Sequence, residues 1–515
     1  MKKNNLLRLS KNPFIISFFL IASLSPAAQK FVAVDGNDTN PGTIDKPFKS
    51  ISAAVLSAAP GDTIFVRGGT YTLTTAVSIS SSKSGTAEEK FHLFAYPGER
   101  PLLDFSGEPM GAKGISLKAG FWHVKGFDVK GAGDNGMEIS GGSNNLIENC
   151  SFFENRDSGL QLSNGASNNR IVNCDAYYNA DPPDYADADG FAPKLAVGTG
   201  NAFEGCRSWG NCDDGWDGYL RGATDVTTTL ENCWSWGNGF LKDGTDPGSQ
   251  ANGNGFKMGG GDKSNSQGLE HHFILKNCLA FGNKNKGFDQ NHNAGSMTLL
   301  NCTGYQNRAA DYRIAEALNP GRTLVVKNCV SLGGGVELGG FAVQQNNSWM
   351  PPLSAAATDF LSLDASAASA PRKADGNLPD MAFMHLAEGS ILVDAGVFVG
   401  IPFYGRAPDL GAFESAWTSI AQKGAAIPSG FAFYTNYPNP LNSETILRFR
   451  LPEFCFITLT VFDAMGRESA ALARGFFESG EHRIAWRSGD LPGGVYLCRL
   501  QAGGMSASVK MVVQK

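Results

Sequence analysis

The 515-residue sequence predicts an all-β protein: a parallel β-solenoid followed by a small antiparallel β-sandwich. Three observations predict it. An Asn-Cys pair recurs at 149–150, 173–174, 232–233, 277–278, 301–302 and 328–329, with Gly205-Cys206 filling the gap, so the Cys positions step by 24, 32, 27, 45, 24 and 27. A repeat of that length marks stacked supersecondary units. The apolar runs around these pairs, such as Phe273-Ile274-Leu275, are too short for helices and suit strands. Glycine supplies 63 of the 515 residues, nearly twice the usual share of roughly 7%. A hydrophobic content of 42% excludes a disordered chain. A net charge of −6 offers no basic excess for a nucleic-acid partner.

From the N-terminus, residues 1–28 read as an export signal. Lys2, Lys3, Arg8 and Lys11 precede the apolar run Phe14–Leu24, and Ser25-Pro26-Ala27-Ala28 offers small residues for cleavage. The apolar run is shorter than the ~20 residues of a spanning helix. Residues 47–59 predict a cap helix with Phe48, Ile51, Val55 and Ala58 on one face. Pro60-Gly61-Asp62 ends it, and Thr63–Val66 begins the first strand. A solenoid needs such a cap because its open end exposes unpaired backbone. The repeat fades after about Val336, and residues 346–416, rich in Ala, Pro and Asp, are expected to pack irregularly along the solenoid. Residues 417–430 are the expected linker and 431–515 the sandwich, with strands at Thr445–Leu451, Ile457–Phe462, Val495–Leu500 and Ser508–Val513. The solenoid domain would then run from 29 to 416.

Five residues after each of the first six Cys stands another Asn: 155, 179, 211, 238, 283 and 307. Both Asn series are expected to be structural, as stacked amides or tight turns. The stacked Cys are expected to be buried filler, without metal-binding spacing and with no need of disulfide geometry.

A second ladder carries the chemistry. Gly159-Leu160, Gly215-Trp216 and Gly287-Phe288 fall nine residues after their Cys. Gly190-Phe191 and Gly255-Phe256 fall at sixteen and twenty-two, so the second and fourth coils carry extra loops. In register, the residue before Gly runs Ser158, Asp189, Asp214, Asn254, Lys286. The residue after the apolar position runs Gln161, Ala192, Asp217, Lys257, Asp289. Asp189 then lies beside Asp214, Asp217 beside Lys257, and Asp213 at the adjoining corner. Like charges one coil apart repel unless a cation neutralises them. Four carboxylates without His or Cys favour Ca²⁺ over zinc or copper. Lys257 sits one coil from that cluster, beneath two long loops.

These residues resemble the core motifs of family nine pectate lyases: Asp187-Ala188-Asp189-Gly190-Phe191-Ala192, Asn211-Cys212-Asp213-Asp214-Gly215-Trp216-Asp217, Gly253-Asn254-Gly255-Phe256-Lys257 and Gly287-Phe288-Asp289-Gln290-Asn291, with Ala407–Glu414 behind them. The resemblance spans roughly residues 30–416. It implies a right-handed parallel β-helix that cleaves polygalacturonate by β-elimination, Ca²⁺ on Asp189, Asp213, Asp214 and Asp217, and Lys257 as the base. Lys194, Asp289, Gln290, Lys286 and Arg313 are weaker candidates for holding the polyanionic substrate. The tail, with Tyr437-Pro438-Asn439-Pro440, Phe462–Arg467 and Gly494–Leu497, resembles the type IX secretion sorting domain, which implies outer-membrane export and the secretion machinery as a partner. A glycoside hydrolase with two carboxylates and a non-catalytic, calcium-stabilised carbohydrate-binding β-helix are the competing readings. A capped solenoid of this kind is expected to be a monomer. The loops at 180–188 and 239–252 would set methylation tolerance and endo or exo action.

Overall fold

The computed structural model describes residues 27–415, 431–452, 455–463, 467–489, 491–502 and 505–514. The expected export signal, but for its last two residues, and the expected linker at 417–430 lie outside the described residues.

Among these residues three parallel sheets of twelve, ten and ten strands wrap one apolar core, and after the first coil each sheet takes every third strand. The result is a right-handed β-helix. The cap helix is shorter than its apolar spacing suggests, Ile51–Ser57. Phe48 is held extended by backbone bonds with Phe31 and Ala33, so the helix starts only after Ser50, whose Oγ accepts from Ala53 N. Ile51, Ala54 and Val55 seal the first coil. At the far end the solenoid runs past Val336 to the strand Val343–Gln345. That last coil escapes the repeat because Asn347, without a following Cys, takes over: its Oδ1 accepts from Cys329 N at 2.9 Å.

The two Asn series do different work. Asn149, Asn173, Asn232, Asn277, Asn301 and Asn328 have φ of 52–56°, with Gly205 at 61°. They turn the chain between sheets in the left-handed region, which Asn and Gly tolerate best. The series from Asn155 to Asn307 is a buried amide ladder. Asn155, Asn179, Asn211, Asn238 and Asn283 each donate from N and Nδ2 to Oδ1 of the next, and Asn307 donates to Asp311 Oδ1. A shorter ladder, Asn145–Asn169–Asn201, runs beside the twelve-stranded sheet. Asn211→Ala would leave Asn179 N without its acceptor in the core and take one of the two acceptors of Asn179 Nδ2, which keeps Phe152 O. We expect it to cost about 3 kcal/mol, read as a lowered denaturant midpoint with unchanged slope.

All ten cysteines are buried, and the seven of the ladder are free thiols. In the ladder each thiol lies 3.3–3.5 Å from the carbonyl two residues back.

Residues 346–415 lie against the ten-stranded sheet that carries Trp234, Leu279 and Val330, with only two short 3₁₀ turns, and build a second apolar cluster there around Phe383, Leu386 and Leu410. Asp175 rivets them down. Its carboxylate takes bidentate bonds from Arg207 and a further pair from Arg372, while both guanidinium groups also bond carbonyls across the seam.

Among the buried polar groups without a hydrogen-bond partner, one is a whole carboxylate. Glu108 has neither carboxylate oxygen hydrogen-bonded, and both are shut away from solvent. Burial pushes its pKa up from the usual carboxylate range to about 7. A folded pKa above the unfolded one means the native state prefers the proton. The destabilisation is therefore absent below the ordinary value and complete above about 7. Glu108→Gln is expected to raise Tm at pH 8 and leave it unchanged at pH 4.

The C-terminal part forms a three-stranded and a four-stranded antiparallel sheet around one core that includes Leu447, Ile457, Trp486 and Leu500. It contains Glu444–Leu451, Cys455–Phe462, Gly494–Ala502 and Met505–Val513, where the sequence expects strands, and also Ala432–Tyr437, Glu468–Phe477 and Gly480–Arg487.

Candidate active site

The site grows out of period-two alternation on one ten-stranded sheet. Phe191, Trp216, Phe256, Phe288 and Tyr312 point inward and stack, with successive ring centroids 4.8–5.2 Å apart. Their neighbours in sequence therefore point outward, in the register Asp217–Lys257–Asp289–Arg313. A glycine precedes each of the first four rings, where the backbone packs closely against the neighbouring coil, and Asp311 precedes Tyr312. A Cβ on Gly215 would meet Ser235 Oγ at 2.0 Å, the Gly255 carbonyl at 2.6 Å and Asn238 Nδ2 at 2.9 Å. These are packing glycines rather than ordinary turn residues.

Asp189, Asp213 and Asp214 converge, each offering an oxygen within 4.8 Å of the others, and all three are at most 1% exposed. Their outer oxygens are anchored. Asp189 accepts from Ser158 Oγ at 3.1 Å, Asp213 from Asn252 N at 2.6 Å, and Asp214 Oδ1 from Asn254 N and Nδ2 at 2.7 and 2.8 Å. Asp214 Oδ2 accepts no hydrogen bond, although Lys257 Nζ stands 2.9 Å away as an ion pair. Burial, reinforced by the neighbouring carboxylates, holds Asp189 and Asp213 well up from the usual range and raises Asp214, where Lys257 opposes it. Asp217 faces the same groove but belongs more to the cations: Oδ1 is 3.3 Å from Lys257 Nζ, Oδ2 is 3.8 Å from Lys194 Nζ, and Oδ1 accepts from Tyr219 N.

Lys257 is 8% exposed. Burial alone would lower its pKa, but Asp214, Asp217, Asp213 and Asp189 together drive it well above the ordinary lysine value. Lys194 is buried against the trio, 2.7 Å from Asp189 Oδ2, and is likewise held charged. Its length carries it back from beyond Pro193, which strand alternation could not show. The four carboxylates and two ammonium groups leave two negative charges, which one divalent cation cancels. The donor set is all oxygen, because the Cys212 thiol turns to Asp181 and His271 is spent on Gly218 O and Thr228. With a carboxylate oxygen that meets only the Lys257 ammonium in a buried, all-oxygen cluster, the residues fit a hard divalent ion.

The remaining sequence candidates lie along the same face. Lys286 pairs with Asp289 at 3.2 Å, and Arg313 with Glu337 at 3.0 Å. The Gln290 side chain is spent on backbone: Nε2 donates to Asn293 O and Glu316 O, and Oε1 accepts from Glu316 N. It pins a loop rather than presenting a free amide to the groove. Sequence reasoning missed that Asp262 meets Tyr219 and Arg221, 43 and 41 residues before it and one coil back. The Tyr219 and Arg221 side chains also line an open groove of about 610 Å³ with Lys113, Glu138, Gln161, Lys194, Asp217 and Lys257.

Residues 30–337 match the family described as Pel9A-like, right handed beta helix region, and residues 435–514 match a secretion system C-terminal sorting domain. A pectate lyase L of Paenibacillus polymyxa is 40% identical over 392 residues, covering 72% of this chain and 84% of its own length. A pectate lyase L of Dickeya chrysanthemi is 37% identical over 405 residues, covering 77% of this chain and 92% of its own length. The crystal structure of pectate lyase Pel9A superposes with a TM-score of 0.69 at 36% identity, over 76% of this chain and 97% of that one. The sorting tail makes the protein a secreted or cell-surface one. The solenoid, its acidic cluster and these matches agree: the chain belongs to the family nine, Pel9A-like pectate lyases and carries a secretion sorting domain at its C-terminus.

Proposed function

We propose that the protein is a secreted, calcium-dependent lyase that cleaves polygalacturonate by β-elimination. The observation that carries this reading is that Lys257, which lines the open groove with Asp217, stands 2.9 Å from Asp214 of the buried three-carboxylate cluster. Asp189, Asp213 and Asp214 would hold Ca²⁺, with Asp217 as a fourth ligand. When bound, the ion supplies positive charge for a substrate carboxylate and for the carbanion-like transition state next to it.

Lys257 does the proton chemistry. The C5 hydrogen of a uronate is acidified by the adjoining carboxylate, and a neutral Lys257 amine takes it as the C4–O bond breaks. The C5–H electron pair forms the C4=C5 double bond, the leaving oxygen departs with the C4–O pair and its share of the chain and takes a proton from water, and an unsaturated sugar remains at the new non-reducing end. Without a cation the four carboxylates hold Lys257 charged, and a charged amine removes nothing. Carboxylates committed to a cation hold that proton less tightly. Turnover is then expected to rise with pH through the alkaline range as Lys257 loses its proton. Lys194 stays charged against Asp189 and keeps the cluster from repelling a polyanion outright.

Ultraviolet absorbance of the unsaturated product, followed on polygalacturonate with Ca²⁺ and then with a chelator, tests the reading. A calcium-dependent rise supports it. New reducing ends without absorbance would indicate hydrolysis and remove Lys257 from the chemistry.

A further inference from the structure

A polyanion entering this groove needs a cation it can reach, and most of those present are already committed. Lys194 and Lys257 have side chains only 7 and 9% exposed, each held by two carboxylates. Lys113 is held by Asp134 at 2.8 Å. Arg221 differs. Its side chain is 60% exposed, and its partner Asp262 is 48% exposed. The pair is a fork, with Nε 3.0 Å from Oδ2 and Nη2 2.7 Å from Oδ1. This is the geometry in which a guanidinium takes a carboxylate of any origin, a uronate included. An exposed ion pair of this kind is held weakly and can exchange partners.

Arg221 is also in the right place. Its Cζ lies 5.7 Å from the centroid of the Tyr219 ring, and Lys257 Nζ lies 5.9 Å from the same centroid. The Tyr219 hydroxyl donates to Asp262 Oδ1 at 2.5 Å. The backbone is bent to bring Asp262 there. Gly259 and Gly260 have φ of 130° and 111°, and Lys263, Ser264 and Asn265 follow in the left-handed region at 52–56°. Three successive non-glycine residues in that region are costly. Asn265 holds them by bonds to Leu269 N, Leu269 O and His292 O.

Building on the lyase reading above, we propose that Arg221 binds the carboxylate of the uronate adjoining the one at Lys257. Asp262 stands in for that carboxylate in the free enzyme and keeps the guanidinium in posture until substrate displaces it. The two residues thus act in opposition: Arg221 attracts the polymer, and Asp262 competes with it.

Steady-state kinetics on polygalacturonate with Ca²⁺ separate this from a structural ion pair. Arg221→Ala is expected to raise KM about tenfold with kcat little changed. Arg221→Lys, which keeps the charge but loses the fork, is expected to fall between it and the parent. Asp262→Asn keeps a partner for the Tyr219 hydroxyl but removes the charge, and is expected to lower KM by about threefold. Thermal melts close to the parent would show that the wall still folds. A structural pair would move KM of Arg221→Ala and Asp262→Asn in the same direction, and that result overturns the proposal, as does an unchanged KM in Arg221→Ala. If the parent protein cleaves no uronate polymer, the lyase reading falls and takes this one with it. If the parent cleaves but the opposite signs are missing, only the role of Arg221 falls.

Discussion

Lys257→Ala is expected to lower kcat on polygalacturonate by about 10²- to 10⁴-fold, the range for removing a general base. Two features make the variant informative. The side chain is one rung of a rigid stack, backed by the Phe256 ring between Trp216 and Phe288, so its loss should leave the backbone in place. It is also an ion-pair partner of Asp214 and Asp217, so its loss should tighten cation binding rather than weaken it. A drop in kcat with equal or tighter calcium affinity, read by calorimetric titration, assigns Lys257 to proton transfer. Lys257→Arg serves as the control for charge. A guanidinium does not deprotonate in this pH range, so a base role predicts that the arginine variant is as slow as the alanine one. A purely electrostatic role predicts that it recovers activity.

Removing the cation is expected to have an effect at least as large. Chelation takes away the charge that stabilises the transition state, worth on the order of 10²- to 10³-fold for even one such contact. It also returns Lys257 to four carboxylates that hold it protonated. The two losses compound, so chelated enzyme should turn over more than 10³-fold more slowly. Asp213→Asn together with Asp214→Asn should reproduce the loss and resist rescue by added Ca²⁺. Because a ligand that binds only the native state stabilises it, about 2.7 kcal/mol at a concentration 100 times Kd, chelation should also lower Tm. The double variant should show no such calcium-dependent shift. A chelated enzyme of undiminished rate would sink the metal assignment and leave the trio a structural knot.

Much of this arrangement is legible in the sequence because a solenoid converts sequence offset into spatial register. Once the loops of the second and fourth coils are set aside, Asp189 beside Asp214 and Asp217 beside Lys257 follow from counting, and the paired strands have that register. What counting cannot give is anything that departs from the period. Lys194 reaches Asp189 by side-chain length from past a strand end. Arg221 and Asp262 meet through loops outside the repeat. The Arg372–Asp175 rivet joins residues 197 apart. The Asn145 ladder is hidden for another reason. It passes from Asn201 to a strand position held by Thr228, which bonds His271, so no single residue type marks its course.

The amide ladder from Asn155 to Asn307 has a direction. Every rung accepts at its oxygen from the coil before and gives two N–H groups to the coil after, so the array is polar from end to end. Asp311 closes it with a carboxylate, which takes from Asn307 and from Ser331 and has nothing to pass on. An extra coil bearing Asn could therefore be spliced in at any rung, since it would receive and hand on the same bonds. An Asp at an inner rung would halt the series there, leaving its own carboxylate oxygen against the next oxygen in line. The length of the solenoid is in this sense written as a run of interchangeable letters followed by one full stop.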